Sequence, residues 1–415
     1  MKQLISTYHH SFAGGSKNTS RLLHHLSKNG CEVDTYFFET PQYFTYTQSK
    51  VSVHTLGSDT IPTEVVDSQA IRNYLLTERI MNGINQETEA ILFGANLFPY
   101  CNILLDAKSQ LVQEGKSNPR LIIHPVGSDM WQIGTKLKPR VKWLLDNPLV
   151  DTVFTYSDSF VAEIKAYYHI QKDIHVLPPV LEKDKFFPIS AAEKQQRRQE
   201  LSFTQEDFII HHHSSMRKIK CPELVLDIAI KAAQGIPAPC ILIMTGPVPH
   251  ELIKSLDLGF QSLPGHPHFQ HLSRLPNLTV YWTGILADVS YLMQTADMEL
   301  NASLHDSFNL SLMEAMACGL PVVTSDVVGI APHVLKSGGG FCFPVKKLNF
   351  DELNRVLDTN EAKQAIFDLD YAVEVIRTIA GDRPGAHLKG LAGAAYVAEE
   401  FGIEKAAQIF HQFIS

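Results

Sequence analysis

Two carboxylates, Asp306 and Glu314, stand at i and i+8 across a loop-to-helix junction, in Asp306-Ser307-Phe308-Asn309-Leu310-Ser311-Leu312-Met313-Glu314. Leu310, Leu312, Met313, Met316 and Ala317 fall on one helical face. Gly319 is a natural stop for that helix, with Pro321 just beyond it and Val322-Val323 opening a strand. The start of such a helix offers unpaired N–H groups to an anion. Asp306 lies in the loop ahead of it, and Glu314 about one turn inside. A phosphate on the helix end, with acidic groups free to bind hydroxyls, is the chemistry of a nucleotide sugar more than of a free nucleotide.

Other residues invite chemical readings. Gly14-Gly15 directly follows the first apolar strand and opens a helix, so backbone can approach a ligand closely there. The G-x-x-x-x-G-K-[ST] pattern of a nucleoside-triphosphate loop is absent. His124 ends the strand Leu121-Ile122-Ile123, and ligands meet open α/β sheets at such carboxyl ends. Asp129 either orients an acceptor hydroxyl or caps the turn after it. The run His211-His212-His213 cannot converge on one metal, because neighbours on a strand face opposite ways. Asp368-Leu369-Asp370 lies in a polar helical segment and is set aside as a metal site. Lys136, Lys138, Arg140 and Lys142, with Trp131 and Trp143, read as a solvated helix face, the alternative being an acidic acceptor or a membrane surface.

The elements that must position these residues are α/β. Apolar β-branched runs alternate with amphipathic helical patterns, the mark of parallel sheets. Strands are expected at Leu4–Tyr8, Glu32–Phe38, Ala90–Phe93, Leu121–His124, Thr152–Tyr156 and Ile174–Leu177. A second set is expected at Phe208–His212, Cys240–Thr245, Leu278–Trp282, Met298–Ala302 and Pro321–Ser325. Between the sets, Leu177-Pro178-Pro179-Val180 through Phe187-Pro188 reads as a linker. The expected division is 1–185, 186–393 and a final helix, 394–415.

The chain has 415 residues, of which 45% are hydrophobic and 19% charged, so it is globular. With 36 Lys+Arg against 44 Asp+Glu, the net charge of −8 argues against a nucleic-acid partner. Six scattered cysteines without paired spacing point to reduced thiols and a cytoplasmic protein. The first residues carry too short an apolar run for a signal peptide, and no run is long enough to span a membrane; peripheral contact stays open.

The stretch from Asp306 to Val323 resembles the signature of the retaining family-4 (group 1) glycosyltransferases, typically E-G-F-G-L-x-x-x-E-A-M-A-x-G-x-P-V-V. Asp306 stands for the first Glu, and Ser307 and Asn309 for two glycines; Asn tolerates left-handed backbone better than most residues. The resemblance continues in His10-Ser11-Phe12-Ala13-Gly14-Gly15, in Thr245-Gly246-Pro247, and in Tyr281-Trp282-Thr283-Gly284 with Ala296-Asp297. It implies a GT-B fold, two Rossmann-like parallel α/β domains facing a cleft: an acceptor-side domain, a nucleotide-sugar domain, and a last helix returning to the first. It also implies that Glu314 holds ribose and Asp306 the transferred sugar, that the amides near Asn309 and Leu310 meet the diphosphate, and that Gly14 and Gly15 lie at the donor. In the family a G-R-x-x-x-x-K-G loop supplies phosphate cations. Here Lys220 takes the lysine position, Ser215 takes the arginine position, and Arg217 is the alternative arginine. His124 would face sugar and acceptor.

The expected activity is retaining, metal-independent transfer from a nucleoside diphosphate sugar, UDP-linked by preference, to a hydroxyl of a glycan, lipid or small glycoside. No cofactor is expected. The rivals are another GT-B sugar-nucleotide enzyme and an inactive carbohydrate-binding accessory subunit.

Overall fold

The computed structural model describes residues 2–8, 14–38, 51–56, 69–85, 88–247, 261–263, 266–275, 277–357 and 359–414. The residues His10 to Ala13 of the glycine-loop resemblance lie outside them. The described chain divides into two compact units. The first comprises Met1–Val180, Asn349–Asp351 and Ile403–Ser415; the second comprises Leu181–Leu348 and Glu352–Gly402.

The first unit is built on β1 (Lys2–Tyr8), β2 (Glu32–Phe37), β3 (Val51–Thr55), β4 (Glu89–Ala95), β5 (Arg120–His124), β6 (Thr152–Thr155) and β7 (Ile174–Val176), in the spatial order β3-β2-β1-β4-β5-β6-β7. Every pairing is parallel. The order reverses at β1, and ligands of open α/β sheets gather at such a switch point. One face is covered by the helices Gly14–Lys28 and Ile403–Ile414. Leu22, Leu23, Leu26, Ala406, Ala407, Phe410 and Ile414 pack there against Leu4, Val33, Ile91, Phe93, Ile122 and Phe154. The helix near the end of the chain is therefore part of the first unit's core.

The second unit holds β8 (Phe208–His213), β9 (Cys240–Thr245), β10 (Gln261–Leu263), β11 (His266–Leu275), β12 (Leu278–Gly284), β13 (Met298–Asn301), β14 (Val322–Ser325) and β15 (Gly340–Phe343), ordered β10-β11-β12-β9-β8-β13-β14-β15. Its body is parallel, but β11 pairs antiparallel with both β10 and β12. This edge addition was not expected from the sequence, and neither were β3 and β15. The strands that were expected all form, with ends displaced by one or two residues.

Gly319 ends its helix as the sequence predicted. It sits at φ 81°, with its N–H on Met316 O at 2.9 Å and the N–H of Leu320 on Ala315 O at 3.1 Å. That is the two-bond closure a left-handed residue permits. All six cysteines are free. Among the described residues no helix is long and apolar enough to cross a membrane.

Candidate functional site

In the second unit the loops after β8, β9, β12 and β13 leave the same edge of the sheet, because these parallel strands all end there. After β13 the chain runs through Asp306 into the helix Leu310–Ala317. Asn309 occupies the position just ahead of that helix in a left-handed conformation, φ 81° and ψ 80°, where the signature has glycine. Its side chain makes no capping bond to the helix. Instead its Oδ1 accepts from Ser311 Oγ at 2.8 Å, while Nδ2 is buried without a hydrogen-bond partner. The first-turn N–H groups therefore keep their free directions. From Asn301 to Ser325 the residues are buried except Asp306, Leu310 and Ser311, so solvent reaches the loop at the start of this helix. Glu314, one turn in, is 8% exposed.

The loop after β8 brings the cation. Lys218–Lys220 forms a single tight turn, and Cys221 at φ 45° hands over to the helix Pro222–Ala233. Leu304 N–H donates to Ile219 O at 2.9 Å, tying this loop to the one after β13. The Lys220 ammonium is ion-paired with Asp306 Oδ2. The two side chains are 11% and 17% exposed. Burial raises the Asp306 carboxyl, but the Lys220 charge and hydrogen bond, His305 and the Phe308 N–H outweigh it and hold the group below its ordinary value. Arg217 and Lys218 are exposed, and Arg217 Nε donates to Ser215 Oγ at 3.1 Å.

The loop after β9 approaches closely. Gly246, at φ 146°, lies where a Cβ would stand 2.1 Å from Ser214 O, so only glycine fits. Trp282 of β12, fully buried, donates Nε1–H to Gly246 O at 2.8 Å. The Thr245-Gly246-Pro247 and Tyr281-Trp282-Thr283-Gly284 segments thus meet.

In the first unit, Gly14 and Gly15 are the first residues of their helix. His124 ends β5 and is 1% exposed, with the Tyr156 ring 4.5 Å from its own. Burial lowers its pKa to about 3, so the ring is neutral, and Nε2 has no hydrogen-bond partner. Asp129 is engaged with the turn around it. Its carboxylate accepts from Gly127 N–H at 2.8 Å, Leu97 N–H at 3.0 Å and Val126 N–H at 3.2 Å. Asp368 likewise caps a helix, accepting from Tyr371 N–H at 3.0 Å. In the basic segment, Lys142 pairs with Asp146 at 2.6 Å and Lys138 lies 3.9 Å from the Tyr167 ring centre; Trp143 is exposed and Trp131 buried.

A feature the sequence reading passed over is Glu299, in the middle of β13 and fully buried. Its Oε2 meets His211 Nδ1 at 2.6 Å, and its Oε1 accepts His213 N–H at 2.8 Å. A charged residue inside the apolar run Met298-Glu299-Leu300 was the available signal. His212 turns to the other face, toward Leu300 O at 2.8 Å and Ser214 Oγ at 2.9 Å. Among the described residues no group of three or more His, Cys, Asp or Glu is placed to share a metal ion.

Comparison with known proteins bears on this geometry. The family described as Glycosyl transferases group 1 matches residues 241–357. N-acetyl-alpha-D-glucosaminyl L-malate synthase of Bacillus anthracis is 26% identical over 191 residues, 45% of this chain and 44% of that protein. D-inositol 3-phosphate glycosyltransferase of Jonesia denitrificans is 25% identical over 222 residues, 51% of this chain and 50% of its own length. The matches thus span about half the length of these curated relatives. Among solved structures, sucrose-phosphate synthase from Thermosynechococcus elongatus superposes with a TM-score of 0.70 at 18% identity, covering 99% of this chain and 98% of its own. Anabaena Alr3699/HepE in complex with UDP and glucose gives 0.69 at 16% identity, with the same coverage. The chain resembles the group 1 glycosyltransferases and has the GT-B fold.

Proposed function

We propose that this GT-B chain is a retaining glycosyltransferase that uses a nucleoside diphosphate sugar and needs no metal. The observation that carries the reading is the pairing of Lys220 with Asp306 beside an uncapped helix start. A cation and a set of free N–H groups suit a diphosphate, and a carboxylate next to them suits the hydroxyls of the attached sugar. The diphosphate takes the Lys220 ammonium and the amides near Asn309 and Leu310. Asp306 is then released from its ion pair to accept from sugar hydroxyls, and Glu314 takes the ribose hydroxyls. Arg217, exposed on the same loop, can add a second cation.

The bond that breaks joins the anomeric carbon to the phosphate oxygen, and the bond that forms joins that carbon to the acceptor hydroxyl oxygen. The acceptor proton passes to the departing phosphate oxygen on the same face, so no carboxylate base is required. Charge grows on the diphosphate during this step, and Lys220 and the helix start stabilise it there. His124, neutral and with an unpartnered Nε2, serves as a hydrogen-bond partner for sugar or acceptor rather than as a cation. Gly14 and Gly15 admit backbone to the donor. UDP is the favoured nucleotide because HepE, of the same fold, binds UDP and glucose. The acceptor is a carbohydrate or lipid-linked hydroxyl, met in the cytoplasm or at the membrane surface.

The test is a panel of uridine, guanosine and adenosine diphosphates read by thermal shift, followed by donor hydrolysis. A shift with one base and slow release of sugar to water are expected. No shift at millimolar nucleotide would overturn the reading, and binding without hydrolysis or transfer would favour an accessory subunit.

A further inference from the structure

Glu299 and His211 are both 0% exposed in the middle of a parallel sheet, where apolar side chains are the rule. Burying two titratable groups there costs stability that an apolar pair would not, so their retention calls for a reason. Their bonds give one. Glu299 Oε1 accepts the N–H of His213, the last residue of β8, at 2.8 Å. Glu299 Oε2 engages His211 Nδ1 at 2.6 Å, and His211 Nε2 lies 3.1 Å from Thr245 Oγ1, at the end of β9. Ser214 N–H then donates to Thr245 O at 3.1 Å. One unbroken chain of polar groups therefore runs from inside β13 and β8 to the ends of β8 and β9, where those two strands give up their loops. The loops after β13, β8 and β9 carry Asp306 and Asn309, Lys220, and Gly246 respectively.

The geometry points to Glu299, His211 and Thr245 as a positioning network that fixes the Lys220 loop and the Asp306 loop in register for the donor diphosphate. This rests on the proposed reading of the site as a nucleotide-sugar site. The pair carries one exchangeable proton between two groups that burial drives toward neutrality: the carboxyl well above its ordinary value, the imidazole down to about 3. Such a unit holds its directions without presenting a net charge to the arriving phosphates. An apolar pair of similar volume would hold the sheet together but would leave the His213 N–H unpaired and the loop exit unfixed.

The experiment compares the wild type with His211→Val/Glu299→Leu, which keeps an apolar core, and with Thr245→Val, which removes only the last link. Hydrogen exchange, UDP affinity and melting temperature are read on each. In the double variant the melting temperature should hold within a few degrees, while exchange of the 213–221 amides rises at least tenfold and UDP binds at least tenfold more weakly. Thr245→Val should show the same pattern at about threefold. Adding Lys220→Ala should cost at least tenfold in UDP affinity in the wild type and less than threefold in the double variant, because a displaced lysine has little left to lose. Unchanged exchange at 213–221 in both variants overturns the proposal, as does an equal Lys220→Ala cost in both backgrounds. If the double variant does not fold, Thr245→Val decides on the same two readouts. If the wild type binds no nucleoside diphosphate, the functional reading fails, and exchange still decides whether the network positions the loop.

Discussion

Lys220→Ala removes one partner of an ion pair whose side chains are only 11% and 17% exposed. Losing a hydrogen bond to a charged group costs roughly 1.5–3 kcal/mol, and stranding a buried charge costs more. Because water still reaches this pair, about 2–3 kcal/mol is expected. In a unit of this size that is roughly 4–12 °C in melting temperature. Asp306→Asn should cost less, about 1 kcal/mol, since the long lysine stem can carry its ammonium out to water. The double variant should be no worse than Lys220→Ala, leaving a coupling of about 1 kcal/mol or more. The dependence on pH has a definite sign. Asp306 is held below its ordinary value, and a carboxylate so placed stabilises the fold above its unfolded pKa, near 3.9. That contribution is lost as pH falls through the folded value. The gap between wild type and Lys220→Ala should therefore be full at pH 7, begin to narrow below about pH 4 and go on narrowing as pH falls through the folded value. Denaturant melts of the four proteins at both pH values provide the measurement. Additive single costs, or a gap no narrower at about pH 3 than at pH 7, would show that the pair does not contribute as its geometry implies.

Lys220→Ala should weaken UDP binding by roughly 1.5–3 kcal/mol while Lys218→Ala, exposed, stays under ~1, as titration calorimetry would show; equal losses would mean that the loop is misassigned. Glu314→Gln should weaken UDP and intact donor alike, whereas Asp306→Asn should lower sugar turnover with UDP affinity nearly intact. Asn309→Gly should keep both stability and binding, and Asn309→Val should lose about 1–2 kcal/mol in a melt, because φ 81° is hostile to a β-branched residue. Transfer should survive EDTA; loss that manganese or magnesium restores would refute the metal-free mechanism.

The site was legible where side-chain chemistry and chain punctuation agree. Asp306, Glu314 and Gly319 mark a loop, a helix and its stop. Each follows a local rule, and the structure places each in that role. Asp129 shows the limit of such rules: a carboxylate after a strand can serve a ligand or a turn, and the three N–H groups that engage it include that of Leu97, which no local window joins to it. The β10–β11 edge was hidden because Pro264, Gly265 and Pro267 break the run and its residues are polar. The three glycines at Gly338–Gly340 masked β15 in the same way. Glu299 and His211 escaped because their significance lies in a pairing 88 residues apart, which no local window contains.

The helix Ile403–Ile414 gives Ala406, Ala407, Phe410 and Ile414 to the core of a unit whose other strands end at Val176. During synthesis, more than two hundred residues of the second unit emerge from the ribosome before that helix does. The first unit must wait through this interval with an uncovered apolar face, at roughly 5–20 residues per second, for some ten to forty seconds. A chaperone that shields apolar surface would find its target in the nascent first half. A fragment ending at Val180 should be recovered in soluble form only when the 403–414 peptide is supplied with it.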